Sequence, residues 1–207
     1  TQSVSPSLTT SYVLTCSGSG GHISASVSID VAKATPTITW SDPSDVIYGT
    51  ALSSTQLNAT ANVAGTFVYT PASGTVLSAG THTLSTTFTP TNAINYNIVV
   101  RTVSINVYSF PTLNISANPV SITYGQSSTL TWSSTNTTSC TASNGWSGQK
   151  ATSGTQSVSP SLTTSYVLTC SGSGGHISAS VSIDVAKATP TITWSDPSDV
   201  IYGTALS

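Results

Sequence analysis

Apolar and hydroxylated residues alternate along much of this chain with a period of two. Ile177, Ala179, Val181, Ile183 and Val185 alternate with Ser178, Ser180, Ser182 and Asp184. Successive side chains on an extended backbone point to opposite faces, so this pattern predicts a strand with one buried face. The same period sets Tyr166, Leu168 and Cys170 against Val167 and Thr169, places Leu130 and Trp132 in SSTLTWSS, and sets Phe67 and Tyr69 across GTFVYTP. Residues 99–107 read as one long strand. Turn chemistry separates the runs, at Tyr124-Gly125, at Asn144-Gly145 and at residues 78–80 and 171–175. About seven short strands per ~75 residues, with turns every ~8 to 12, is the pattern of a Greek-key sandwich.

Composition supports strands over helices. The chain has no Met and no Glu and few Lys or Arg, while Ser and Thr together exceed a third of it. β-branched residues lose rotamer freedom in a helix and pack well on a pleated sheet. Charged residues make up only 5 %, against roughly a quarter in ordinary domains. The apolar positions are periodic, which argues against disorder. A net charge of −2 offers no basic patch, so nucleic acid is not an expected partner. No apolar run approaches the ~20 residues that span a bilayer, so no membrane insertion is expected in this segment.

Self-similarity sets the organisation. Residues 1–53 recur without a mismatch as residues 155–207. Identity over such a length marks a duplicated or recombining array. The period is too long for one solenoid unit and divides into two kinds of module. Residues 1–31 read as the C-terminal part of a module A, 32–107 as a module B, 108–185 as a complete module A, and 186–207 as the N-terminal part of the next B. The fold class expected is all-β: alternating Ig-like Greek-key sandwiches arranged as an elongated rod.

Module A, with GQSSTLTWSSTNTTSCTASNGWSG and TTSYVLTCSGSGG, resembles a bacterial immunoglobulin-like domain of large exported proteins. Module B, with TPTITWSDPSDVIYGTALSSTQLNATANVAGTFVYTPASGTVL and TFTPTNAINYN, resembles a second bacterial Ig-like type strung in tandem. Together these resemblances cover essentially the whole chain. They imply an extracellular, cell-surface setting, and they say little about a ligand, because such domains occur in adhesins, surface fibres and extracellular enzymes. Module A departs from the antibody pattern. Trp132 precedes Cys140 and lies in a separate strand, and Tyr166 stands four residues before Cys170, so the antibody tyrosine corner is not carried over.

Cys140 and Cys170 both belong to the complete module A and are expected to form a disulfide, as an oxidising compartment permits. Cys16 is the counterpart of Cys170 and stays unpaired in this window.

Candidate chemistry is sparse. The chain has three histidines, and His22 and His176 occupy the same position in two copies, after a hairpin turn. Neither GxSxG, HExxH, a P-loop nor paired catalytic carboxylates occur. No catalytic residue and no cofactor are expected. The acidic stretch around Asp42 and Asp45 recurs as Asp196 and Asp199. Carboxylates beside a module joint are weak candidates for a calcium site, since calcium takes six to eight oxygens; a solvated loop is the plainer reading. Trp132, Tyr166, Trp40 and Phe67 are core candidates. Trp146, in NGWSG, is either a sugar-stacking platform or a cap on one end of the sandwich. Acceptor-like triplets at Asn58, Asn114 and Asn136 carry little weight in so Ser/Thr-rich a chain. Lys33, Lys150 and Lys187 do not lie mid-strand beside an acid, so no isopeptide bond is expected.

The function these features point to is structural: a repeat of a stalk, fibre or fibrillar adhesin, bearing load at a cell surface. Expected partners are further copies of the same repeat. Sparse charge leaves strand edges unguarded, which leaves room for lateral self-association into a filament. Pro36, Pro111 and Pro190 stiffen the joints. The alternative is an adhesive or carbohydrate-binding accessory module of a larger secreted protein, with a host or surface glycan as its partner.

Overall fold

The structure, a computed structural model, describes residues 2–196 and 198–203. Among these residues there are strands and no helix, divided into two compact units, Thr1–Phe110 and Pro111–Ser207.

Unit 1 opens with a hairpin of β1 (Thr10–Gly18) and β2 (Gly21–Ile29), which forms a two-stranded sheet by itself. The rest of the unit is a small sandwich. One layer pairs β3 (Ile38–Thr39) with β5 (Thr60–Ala61). The other contains β4 (Val46–Ile47), β6 (Gly65–Thr70), β7 (Gly80–Pro90) and β8 (Val99–Tyr108), in the order β4-β8-β7-β6. Period-two alternation puts Leu84 and Phe88 of β7, and Val103, Ile105 and Val107 of β8, on the inner face. Leu84, Val103, Ile105 and Val107 meet Trp40, Leu52, Leu57 and Leu77 in the core, with Phe67 and Tyr69 packed at its margin and Phe88 against Phe67. Thr86 is buried in this face, and its hydroxyl donates to the Val68 carbonyl at 3.2 Å. A buried hydroxyl without such a partner is costly.

Unit 2 is an Ig-like Greek-key sandwich. Its strands are β9 (Thr112–Asn118), β10 (Ser121–Thr123), β11 (Ser128–Thr135), β12 (Ser139–Asn144), β13 (Gly148–Lys150), β14 (Ser153–Val158), β15 (Thr164–Gly172) and β16 (Gly175–Ala186). One sheet has the order β10-β16-β15-β12-β13 and the other β14-β11-β9. Leu130, Trp132, Tyr166, Leu168, Cys140, Cys170 and Ile183 fill the space between them. Burial raises the pKa of the Tyr166 phenol. Residues 187–196 and 198–203 carry no strand, and Ile192 and Trp194 are exposed there.

The repeated segment therefore occurs in two environments. In β15–β16 its apolar face is covered, and in β1–β2 the same face is open. Glycine chemistry follows that difference. A Cβ on Gly172 would collide with the Asn136 carbonyl and press on Thr137, whereas Gly18, the same residue in the other copy, has nothing within 4 Å. Gly172→Ala should thus destabilise unit 2 by about 1–3 kcal/mol through overpacking; an unchanged melting midpoint would refute this account.

Candidate functional site

In each unit the strand near the start of the sandwich pairs in parallel with its last strand. In unit 1 β4 runs parallel to β8, with Val46 opposite Val107 and Ile47 opposite Tyr108. The Tyr48 amide extends this pair by donating to the Tyr108 carbonyl at 2.8 Å. In unit 2 β10 runs parallel to β16, with Ser121, Ile122 and Thr123 opposite Asp184, Val185 and Ala186. The pair is closed on one side by Asp184 N–H to the Val120 carbonyl at 2.9 Å, and on the other by Tyr124 N–H to the Ala186 carbonyl at 2.8 Å. Tension that enters before an early strand and leaves after a parallel late strand pulls the pair in opposite directions along the strand axis. The bonds then share the load in shear, instead of opening one by one.

Side chains reinforce the unit 1 pair. The Asp42 Oδ1 accepts the Ser104 amide at 2.8 Å. The Asp45 Oδ1 accepts the Asn106 amide and side-chain Nδ2, both at 3.1 Å, and its Oδ2 accepts the Tyr108 hydroxyl at 2.9 Å. Ser104, Asn106 and Tyr108 are alternate residues of β8, so the acidic segment is laid along one row of that strand. These bonds, led by the one from Tyr108, hold the Asp45 carboxyl below its ordinary pKa. A carboxylate with a depressed folded pKa contributes stability that is complete above the unfolded value near 3.8 and fades as pH falls through the folded one. Asp45→Asn should therefore lower the urea midpoint of unit 1 at pH 7, and the gap between variant and parent should close in strong acid. A gap that persists undiminished at pH 2 would show that charge is not the cause.

The four candidate calcium ligands fare differently. Asp42 engages β8 through Oδ1 and Asp45 through both its oxygens. Asp196 and Asp199 lie in the exposed stretch that follows β16. Among the described residues there is no group of three or more His, Cys, Asp or Glu placed to hold a metal ion.

Trp146 is not the exposed stacking platform that the sequence allows. It is 7 % exposed, its indole N–H donates to the Val167 carbonyl at 2.8 Å, and its ring meets Trp132 and Tyr166 edge-on. The Lys150 ammonium lies 5.1 Å from the ring centre and donates to the Gln156 Oε1. A large apolar ring with one donor is best satisfied by burial beside a carbonyl, and the turn at Asn144-Gly145 folds it inward.

Cys140 and Cys170 are disulfide-bonded and buried, directly opposite each other on β12 and β15. The bond therefore joins adjacent strands of one sheet and does not bridge the two layers. Cys16 is free and exposed.

The segment that follows the first hairpin is pinned as well. The Ala34 amide donates to the Asn95 carbonyl at 2.8 Å, and the Asn97 amide donates to the Ala34 carbonyl at 2.9 Å. The Lys33 Nζ donates to the Ala93 carbonyl at 2.7 Å. The Asn97 side chain donates to the Lys33 carbonyl and the Thr35 hydroxyl. Sequence reasoning credited the proline at position 36 with stiffening this joint; the loop at 92–97 is the part it missed, for which TNAINYN gave only the signal of an Asn-rich turn.

Some solved structures are similar in fold. The N-terminal eight Ig domains of Down syndrome cell adhesion molecule match at 12 % identity and a TM-score of 0.47, over 86 % of this chain and 27 % of that one. The N-terminal four Ig domains of Dscam1 isoform 6.9 match at 10 % identity and a TM-score of 0.40, over 81 % and 51 %. The D00-D0 domain of intimin matches at 9 % identity and a TM-score of 0.34, over 72 % and 98 %. The chain thus spans about half the length of the Dscam1 fragment and less of the eight-domain one. No family model and no curated protein sequence matches it. Among the described residues no helix is long and apolar enough to cross a membrane.

Proposed function

We propose that this chain is a load-bearing stretch of an extracellular structural array: a cell-surface stalk, fibre or fibrillar adhesin in which modules of the 32–107 and 108–185 kinds alternate as an elongated rod. The observation that carries the reading is the parallel pairing of an early strand with the last strand in both units. That arrangement resists tension applied along the chain and serves no obvious purpose in holding a small ligand. The disulfide fits an oxidising compartment. A glycan-binding reading loses its best aromatic, because the face of Trp146 is buried.

Single-molecule pulling tests the proposal. Both units should unfold as discrete events, and the extension released by unit 2 should grow on reduction. Cys140 and Cys170 stand 30 residues apart, so reduction should free about 100 Å of extra chain at ~3.4 Å per residue. Unfolding at forces near the noise would sink the proposal.

A further inference from the structure

Strand β6 closes one side of the sheet β4-β8-β7-β6 and, among the described residues, pairs only with β7. An antiparallel pair turns the N–H and C=O of alternate residues away from the partner strand. Two bonds fix which residues these are. The Thr91 amide donates to the Ala64 carbonyl at 2.9 Å, and the Thr86 hydroxyl donates to the Val68 carbonyl at 3.2 Å. Ala64 and Val68 therefore face β7, and Thr66 between them does the same. Phe67 and Tyr69 turn their backbone groups outward, where no backbone partner among the described residues meets them. Open edges are normally guarded by brevity, charge or proline. Strand β4 has two residues, and β10 and β13 have three. The end of β9 runs into Pro119, and the Lys150 ammonium sits on Gln156 of β14 at 2.9 Å. Strand β6 has six residues, no charge and no proline. Its Val68, on the outer face, is 63 % exposed.

We propose that β6 pairs antiparallel with β6 of a second copy of this chain, about a two-fold axis at Val68. The strand is self-complementary in that register. Val68 stands opposite Val68, Thr66 opposite Thr70, and Phe67 opposite Tyr69. The last pairing joins the residues whose backbone groups are open, so the N–H of each meets the C=O of the other. Val68 falls where the new pair has no backbone bonds, and facing Cα atoms there approach to about 4.5 Å, so the two side chains cover each other. Directly opposite residues share a face, so both cores stay on one side of the extended sheet. A shift by one residue would set Phe67 against Val68, turn one core to the opposite side and leave the open groups without partners. A shift by two would set Val68 against Thr66 and leave much of its apolar surface in water. No charge opposes the contact, because neither β6 nor β7 carries Asp, Glu, Lys or Arg. The same patch serves both copies, as a closed two-fold contact requires. The inference does not rest on the load-bearing reading, and its failure would leave that reading untouched.

Sedimentation equilibrium of the Cys16→Ser chain tests the pairing, since that substitution removes the free thiol. The mass should climb from the monomer value toward twice that value as concentration rises. Val68→Lys sets two ammonium groups against each other and should hold the mass at the monomer value. Val68 lies outside the core, so the variant should keep the melting midpoint of its parent. A mass that never rises, or that rises equally in the variant, would overturn the proposal. Cross-linking reads the register. With Val68→Cys added to the Cys16→Ser chain, oxidised glutathione should yield a dimer joined through position 68, mapped by mass spectrometry. The two thiols lose two protons and two electrons, and one oxidised glutathione is reduced to two thiols. Thr66→Cys in the same background should yield far less dimer, because position 66 faces Thr70 of the other copy. No dimer from Val68→Cys, or as much from Thr66→Cys, would overturn the proposal.

Discussion

Replacing Cys140 and Cys170 together with serine should lower the stability of unit 2 by about 3 to 4 kcal/mol and leave unit 1 unchanged. The two cysteines are 30 residues apart, and closing a loop of that size removes about this much chain entropy from the unfolded state. Native packing changes little at the outset, since both positions sit in strands held on either side by backbone pairing: β12 between β13 and β15, and β15 between β12 and β16. Two hydroxyls would replace the sulfurs in the core, which adds to the loss. For a domain of this size each kcal/mol moves the melting midpoint by about 4–8 °C, so a fall of roughly 12 °C or more is expected. Trp132 and Trp146 report it by fluorescence, since both lie in the core of unit 2. A shift of only a degree or two would mean that the sandwich is held by packing alone.

Trp40→Ala should cost unit 1 about 3–5 kcal/mol. Trp40 is 3 % exposed. The Trp40 indole N–H donates to the Gln56 carbonyl at 3.0 Å, and the ring meets Tyr69 edge-on with centroids 5.4 Å apart. Truncation would leave a cavity and an orphaned carbonyl in a core that has few large side chains to spare. Since domains of this size are stable by only ~5–15 kcal/mol, this loss should be plain in a urea titration followed by circular dichroism. A loss below about 1 kcal/mol would contradict a core role for Trp40.

The strands were legible because their side chains obey a period that physics imposes on extended backbone. The alternation of Ile177 to Val185 with serines was enough to assign β16 and its inner face. Leu130, Trp132, Tyr166 and Leu168 could be assigned to a core on the same ground. Spacing between a turn and a hairpin was enough to put Cys170 on a strand, but not to reveal that Cys140 stands beside it in the same sheet. Strand order is a property of long-range pairing, and period-two patterning contains no information about it.

The acidic segment shows the same limit. Two carboxylates three residues apart give no sign of the strand they fasten. The row of donors presented by β8 lies over 50 residues away in sequence. Trp146 was ambiguous for a related reason: a glycine turn is compatible with a ring turned out or in, and only the position of Trp132 and the Val167 carbonyl selects the inward one.

The duplicated segment separates the two kinds of information most cleanly. Its sequence alone determined the hairpin, its register and its cross-strand bonds, since β1–β2 and β15–β16 agree in all three. Those features depend on residues near in the chain. Whether Leu168 lies in water or in a core was decided only by the tertiary structure, because burial is a relation between a face and whatever covers it, and the residues of β15–β16 carry no record of the layer β14-β11-β9 that covers them.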